Sequence, residues 1–323
     1  MRCRLEKGSK EKKKGEARRT MGNYHISVCV CTYKRQGELL QLLKALDEQE
    51  TRELFTYSIS IVDNDVKRSA EKVVSGFKGK SNVDTFYYIE PVRNISLARN
   101  MAVRYASGNL IAFIDDDERP EKTWLMNLFN AYIKYKAAGV LGPVMPEFIE
   151  TPPEWVEAGG FFERKIYHSG KTAEWEDCRT GNLLLNKDTL KGDSLFDKRY
   201  GLTGGEDTDF FKRMMEKGHS FVWCDNARAY ERIPVKRATF NWLLKRELRR
   251  GSIFASIKLN NTNVLYRIYF LARALFTCVL FAIFVPFSIL GGVTSSISCI
   301  FRTAWNIGKL LGGFGITVKG YRF

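Results

Sequence analysis

A chain of 323 residues, 45% hydrophobic and 27% charged, can bury the core of one large domain or two modest ones, which excludes a wholly disordered protein. Its formal net charge is +15, but nine Lys/Arg against three Glu lie in residues 1–20, a polar stretch without apolar periodicity. That stretch predicts a disordered basic tail over 1–22, not a secretory signal, and the scattered remaining cations match no nucleic-acid-binding motif, so no nucleic-acid partner is expected.

ISVCVCTY (Ile26–Tyr33) is a short β-branched run, the pattern of a buried strand, and the leucines of the following QGELLQLLKALDEQ recur at helical spacing. YSISIVDND (Tyr57–Asp65) predicts a second strand ending in acids, Lys67–Lys78 a helix and Val83–Ile89 a third strand. ISLARNMAVRYASG reads as a helix stopped at Gly108, and NLIAFI as a fourth strand that runs straight into Asp115, Asp116 and Asp117. This alternation predicts an α/β fold with a mostly parallel sheet covered on both faces. Ligands of such sheets bind beyond the carboxyl ends of the strands, where Thr32, Asp63 and Asp115–Asp117 fall. Pro143–Asp177, rich in Pro, Gly and aromatics, reads as loop, and Thr180–Lys187 as a further strand. Gly201–His219 is a glycine loop opening a helix, His219–Glu231 another strand, and Thr239–Gly251 a basic helix.

Ala274–Phe301 carries no charge and is long enough to cross a bilayer core of about 30 Å. Pro286 and Gly291–Gly292 interrupt it, and both flanks are basic: Arg267 and Arg273 before, Arg302 and Lys309 after. Positive flanks tend to stay cytoplasmic, so a re-entrant hairpin is preferred over a single span or a buried core helix. AWNIGKLLGGFG is expected to lie flat on the membrane surface, its Lys facing headgroups. Seven cysteines without a CxxC pair read as free thiols of a reducing cytosol.

Three adjacent carboxylates repel one another, and in a partly buried site one stays protonated unless a cation is present. Mg²⁺ or Mn²⁺ takes oxygen ligands, typically one or two carboxylates plus substrate phosphates. On an extended chain Asp115 and Asp117 share a face and Asp116 points away; an immediate turn would bring Asp116 in instead. A cation there would neutralise a leaving diphosphate. Asp63 could accept from a base N–H or a ribose hydroxyl, or simply end a turn. Arg99 could pair with phosphate oxygens. In GGEDTDFF the glycines permit a sharp turn or a close approach to a ligand. Glu206 and Asp207 then sit at a helix start, where acids also favour the helix dipole. A carboxylate held in a cleft can take the proton of an attacking hydroxyl, and Asp207 is the candidate base. Glu206, Arg246, Arg249 and Arg250 are candidate contacts to an acceptor or its phosphate. The three histidines show no ligand spacing.

In the order found here, ISVCVCTYKR, VDND, ISLARN, FIDDDE, TGNLLLNK and FDKRYGLTGGEDTDFFKRM resemble the family 2 inverting glycosyltransferases of the GT-A fold. PPEW and ERIPVKRATFNWLLKRELRRG are similar to the bacterial succinoglycan-type exopolysaccharide enzymes within it. The resemblance covers roughly Ile26–Gly251 and implies a GT-A domain over 23–252 followed by a membrane-associated helical region over 253–323. It implies that Thr32, Tyr33, Asp63, Arg99 and Asp115 line a nucleotide pocket. Asp115 and Asp117 would hold Mn²⁺ or Mg²⁺ as the ends of a DxD motif, and Asp207 would be the catalytic base. A metal-binding histidine found in some GT-A domains has no match, and Glu231 stands near its place. The expected donor is a nucleotide-sugar, UDP-linked by resemblance. The expected acceptor is a polyprenyl-diphosphate-linked saccharide, met at the cytoplasmic face of the cell membrane beside membrane lipids. A metal-dependent nucleotidyltransferase or phosphohydrolase, or a non-catalytic scaffold, would use the same sheet without needing the GGED loop.

Overall fold

Every residue from Ile26 to Val30 is buried, so the strand they belong to, β1 (His25–Thr32), can only be central in a sheet. The computed structural model describes residues 24–190 and 195–318, and the expected basic tail lies outside them. β1 pairs in parallel with β2 (Thr56–Asp63) on one side and β4 (Leu110–Ile114) on the other. β3 (Thr85–Ile89) extends the β2 edge, also in parallel. The chain therefore builds outward from β1 in one direction, then crosses back to its other side. The reversal leaves a crevice at the carboxyl ends of β1 and β4, the place where open α/β sheets take their ligands.

Beyond β4 the sheet runs through β8 (Asn182–Asn186), β6 (Gly139–Leu141) and β9 (Phe221–Trp223), with β8 antiparallel to both neighbours. Alternation along the strands feeds two cores. Val28, Val30, Ile59, Ala112 and Leu184 face α1 (Gln36–Asp47), α2 (Glu71–Lys78) and α4 (Trp124–Tyr135). Cys29, Val62, Ile111, Phe113 and Leu183 face α3 (Ile95–Tyr105) and α6 (Glu206–Glu216). Both faces are covered, as parallel strands require.

Several expectations need correction. Pro143–Asp177 is not all loop: it holds β7 (Val144–Phe148) and the short α5 (Glu154–Ala158). The single strand expected over His219–Glu231 is two, because Cys224–Arg228 turns the chain out of the main sheet. Its second part, β10 (Ala229–Ile233), joins β7 in parallel and β5 (Glu118–Pro120) antiparallel in a separate three-stranded sheet. The helix expected at Lys67 begins at Glu71, because Asp63 ties residues 65–70 into a turn.

The basic helix continues past Gly251 as α7 (Phe240–Lys258). It is followed by α8 (Val264–Ser288) and α9 (Val293–Gly313), joined across Ile289–Gly292. Thr277 Oγ1 lies 2.9 Å from Asn306 Oδ1 and the Arg302 guanidinium 5.3 Å from the Phe281 ring centre, so the two helices run antiparallel. Arg273 and Lys309 thus fall at the same end of the hairpin, the end toward α7. AWNIGKLLGGFG does not lie flat and alone. Within it Gly308 and Gly312 pack on α7, where an added Cβ would stand 2.2 Å from Leu248 O and 2.0 Å from Ser252 O. α8 is different: Val264–Gly291 is 28 residues long and apolar enough to cross a membrane, and almost none of it is buried. At 1.5 Å per residue it reaches about 42 Å, more than a hydrocarbon core needs. The six cysteines among the described residues are free, and Cys29, Cys178 and Cys224 are buried.

Candidate active site

After Ile114 the chain turns at once, with Glu118 N donating to Asp115 O at 3.1 Å. The three aspartates therefore diverge instead of alternating. Asp116 goes inward: it is buried and accepts from Thr32 Oγ1 and Arg35 Nη1, both at 2.8 Å. Burial pushes its carboxyl up to about 7, with Arg35 opposing and Asp117 adding to the rise. Asp117 shares Arg35 at 3.0 Å and takes a second guanidinium, Arg237, at 3.1 Å on the same Oδ2. Asp115 looks the other way, toward Arg99 at 3.3 Å, with its side chain 47% exposed.

Arg99 joins the two acidic motifs. It projects from α3, is buried, and bonds Asp115 through Nη2 and Glu206 through Nη1. The aspartate triplet and the GGED loop, distant in sequence, thereby face one cleft. Gly204 and Gly205 have φ of 87° and 96°, a left-handed pair that lets the loop turn into α6. Gly205 also lies so close to α7 that a Cβ would stand 2.3 Å from Ile253 Cγ2. Burial raises the pKa of Glu206, Arg99 opposes the rise, and among the described residues Glu206 Oε2 has no hydrogen-bond partner. Its neighbour Asp207 is less buried, and its Oδ1 accepts from Thr208 N at 2.7 Å.

The remaining residues singled out from sequence divide by use. Tyr33 stands at the mouth of the crevice with the Arg93 guanidinium 4.9 Å from its ring centre. Asp63 is fully buried, and its oxygens accept from Asp65 N, Ser69 Oγ, Ala70 N and Tyr87 Oη, so its carboxylate folds the loop beside the crevice. Arg246 is held within the fold, bonded to Glu247 and Phe161 O with its guanidinium 5.1 Å from the Phe162 ring centre. Arg250 is half-exposed and bonds Glu247 at 3.1 Å; Arg249 precedes it on the same helix. Glu231 accepts from Arg164 and Arg237.

Four residues were not legible as site components. Arg35 and Arg237 hold Asp117, and Glu118 pairs directly across the ladder from Glu231. Burial lifts the Glu118 carboxyl well above the usual glutamate range, the charge of Asp115 adding next. Gly181 gives these acids room: its Cβ would stand 2.5 Å from Glu118 Oε1 and 3.1 Å from Asp115 Oδ2. Only the nearness of Arg35 to Thr32 in TYKR hinted at any of them, since the others depend on strand pairing.

Asp115 and Asp117 carry hard carboxylate oxygens of the kind Mg²⁺ or Mn²⁺ takes from protein when phosphates supply the rest. Asp117 Oδ2 is held by Arg35 and Arg237, and among the described residues no group of three or more Asp, Glu, His or Cys is gathered to hold a cation.

Residues 27–188 match the family described as glycosyl transferase family 2. The succinoglycan biosynthesis protein ExoM of Rhizobium meliloti is 35% identical over 232 residues, 70% of this chain and 73% of that protein. Chondroitin synthase of Escherichia coli is 24% identical over 65% of this chain, which spans only 35% of that protein. Among solved structures, Staphylococcus aureus TarS 1-349 in complex with UDP-GlcNAc superposes with a TM-score of 0.51 at 14% identity, covering 90% of this chain and 92% of that one. GalNAc-T7 with UDP, GalNAc and Mn²⁺ gives 0.51 at 14% identity over 74% of this chain and 51% of that one. The chain belongs to glycosyl transferase family 2, and it is a glycosyltransferase with a GT-A-like fold.

Proposed function

We propose that this enzyme moves a sugar from a UDP-sugar to a lipid-linked saccharide at the cytoplasmic face of the membrane, with inversion, in the synthesis of an exopolysaccharide. The observation that carries the proposal is Arg99, which bonds both Asp115 and Glu206, the residue next to the candidate base Asp207, and so joins the aspartate triplet to the GGED loop. The similarity to ExoM supports the pathway class, and the UDP-sugar in the TarS structure supports the donor class. Exposed apolar α8 supports a site of action beside lipid.

Thr32 and Tyr33 line the nucleotide side of the crevice, and Asp63 shapes its base end through the turn at 65–70. Asp115 and Asp117 would hold Mn²⁺ or Mg²⁺, which when bound neutralises charge on the departing diphosphate. Asp207 accepts the proton of the acceptor hydroxyl. The hydroxyl oxygen bonds to the anomeric carbon as the bond from that carbon to the diphosphate oxygen breaks, and UDP leaves from the opposite face. Arg99 and Glu206 keep the two sides in register. Basic residues of α7, Arg249 and Arg250 among them, lie toward the acceptor.

A donor screen against lipid extract of the source organism, following release of UDP and labelled lipid, tests the reaction. Asp117→Ala should abolish Mn²⁺-dependent UDP binding, and unchanged affinity would remove the metal assignment. Asp207→Asn should keep UDP binding and lose transfer by about 10²–10⁴-fold, the usual worth of general-base catalysis. Release of sugar phosphate in place of UDP would point instead to attack at phosphorus.

A further inference from the structure

Three segments bring guanidinium groups to one stretch of α7, beside Asp207. Arg250, Phe254 and Lys258 recur every four residues and share one stripe of that helix. Phe254 stacks on Trp175 with ring centres 5.9 Å apart, and Lys258 Nζ lies 2.6 Å from Glu176 Oε1. The segment then turns back, Asp177 N donating to Glu174 O at 3.0 Å and Cys178 N to Trp175 O at 3.4 Å. That turn returns Arg179 to the level of Trp175, one helical turn from Arg250. From the other side, Arg246 Nη2 donates to Phe161 O at 2.8 Å and draws the loop carrying Arg164 to the same stretch. Gly205 packs on Ile253 in the next turn, which sets the Asp207 loop alongside.

The charges do not balance. Glu247 serves both Arg246 and Arg250, and Glu231 serves both Arg164 and Arg237. Among the described residues Arg179 has no ion pair; its Nη1 donates only to the carbonyls of Glu176, at 3.2 Å, and Cys178. It is part-buried. Burial lowers its pKa from the ordinary guanidinium value; Asp207 opposes this, while Arg250 and Arg164 add to it. A part-buried cation that meets only two carbonyls and faces two more cations favours an anion to complete the set.

We propose that Arg179, with Arg164 and Arg250, forms a binding site for the phosphate groups of the acceptor, separate from the donor diphosphate at Asp115 and Asp117. The assignment to acceptor over donor rests on the function proposed above and on place: the cluster lies on the Asp207 side of the cleft. It also lies on α7, the helix against which the apolar hairpin packs through Gly308 and Gly312. A diphosphate bound there would present its attached saccharide to Asp207 while its prenyl chain follows the hairpin. Guanidinium groups suit this because their planar fork bonds phosphate oxygens in pairs.

The test uses the full chain in detergent, with farnesyl diphosphate, inorganic pyrophosphate and phosphatidylglycerol vesicles as separate probes, and Mn²⁺–UDP as the donor control. Arg179→Gln should weaken farnesyl diphosphate binding at least tenfold and leave Mn²⁺–UDP affinity unchanged, with Arg179→Lys intermediate. Arg250→Gln, at a half-exposed side chain whose partner Glu247 keeps its bond to Arg246, should give a smaller loss of the same kind if Arg179→Gln fails to fold. Equal weakening toward pyrophosphate places recognition in the phosphates; a loss confined to vesicles would make the cluster a headgroup contact and overturn the proposal. Unchanged farnesyl diphosphate binding, or a loss of Mn²⁺–UDP binding in its place, would also overturn it. Failure of the wild-type chain to bind Mn²⁺–UDP at all would instead strike the proposed function.

Discussion

β1 and α8 are written in much the same apolar residues and end in opposite surroundings. Ile26, Val28 and Val30 are 0% exposed, whereas Leu275, Phe276 and Phe284 of α8 are 54%, 67% and 52% exposed. The sheet is given its low-dielectric surroundings by α1, α3, α4 and α6. α8 packs on α9 along one side and leaves the rest uncovered, so its surroundings must come from outside the described chain. Apolar composition therefore states that a segment leaves water, and tertiary structure decides whether protein or lipid receives it.

The comparison is open to breaking. Replacing Phe276, Ile283 and Phe284 together by serine removes three exposed side chains, each worth about 1.5–3 kcal/mol when transferred from water. Binding to liposomes in flotation assays should fall by at least a hundredfold with the fold intact by circular dichroism; undiminished flotation would mean that α8 faces protein. A narrower contrast truncates one leucine in each region. Leu43→Ala should cost about 2–5 kcal/mol in denaturant unfolding, because it leaves a cavity between α1 and the sheet. Leu275→Ala in micelles should cost far less, and equal costs would erase the distinction.

The smallest effect concerns charge inside the sheet domain. Burial raises the pKa of Glu206 above the ordinary glutamate value of 4.5, against the pull of Arg99. The native state then holds that proton more readily than the unfolded chain, so this contribution is full below the unfolded value and is lost as pH rises through the native one. Glu206→Gln should flatten the decline of stability with rising pH over that window, measured by melting at a series of pH values. A wild-type curve parallel to that of the variant would show the two states to bind the proton equally.

A second contrast runs between the two sides of the cleft. At the aspartate triplet the carboxylates are matched by Arg35, Arg99 and Arg237. Along α7 the arginines outnumber Glu231 and Glu247. A side that adds cations to acids and a side short of acids suit different ligands, which is why the donor and acceptor phosphates are assigned to different places.

Local sequence carried the alternation of β1, β2, β3 and β4 with α1, α2 and α3, since each element shows its own period, and it carried the acids that end β2 and follow β4. It carried the turn at Gly204–Gly205, where only glycine takes the required backbone, and the apolar length of α8. It also carried the family, through motifs in fixed order. The split of 219–231 between two sheets was not legible, because strand partners are chosen by register with distant segments. Nor was the divergence of Asp115, Asp116 and Asp117, which follows from a turn and from where Thr32, Arg35, Arg99 and Arg237 arrive. Charge in sequence is a count, whereas pairing is a matter of ångströms, and only the packed chain sets those distances.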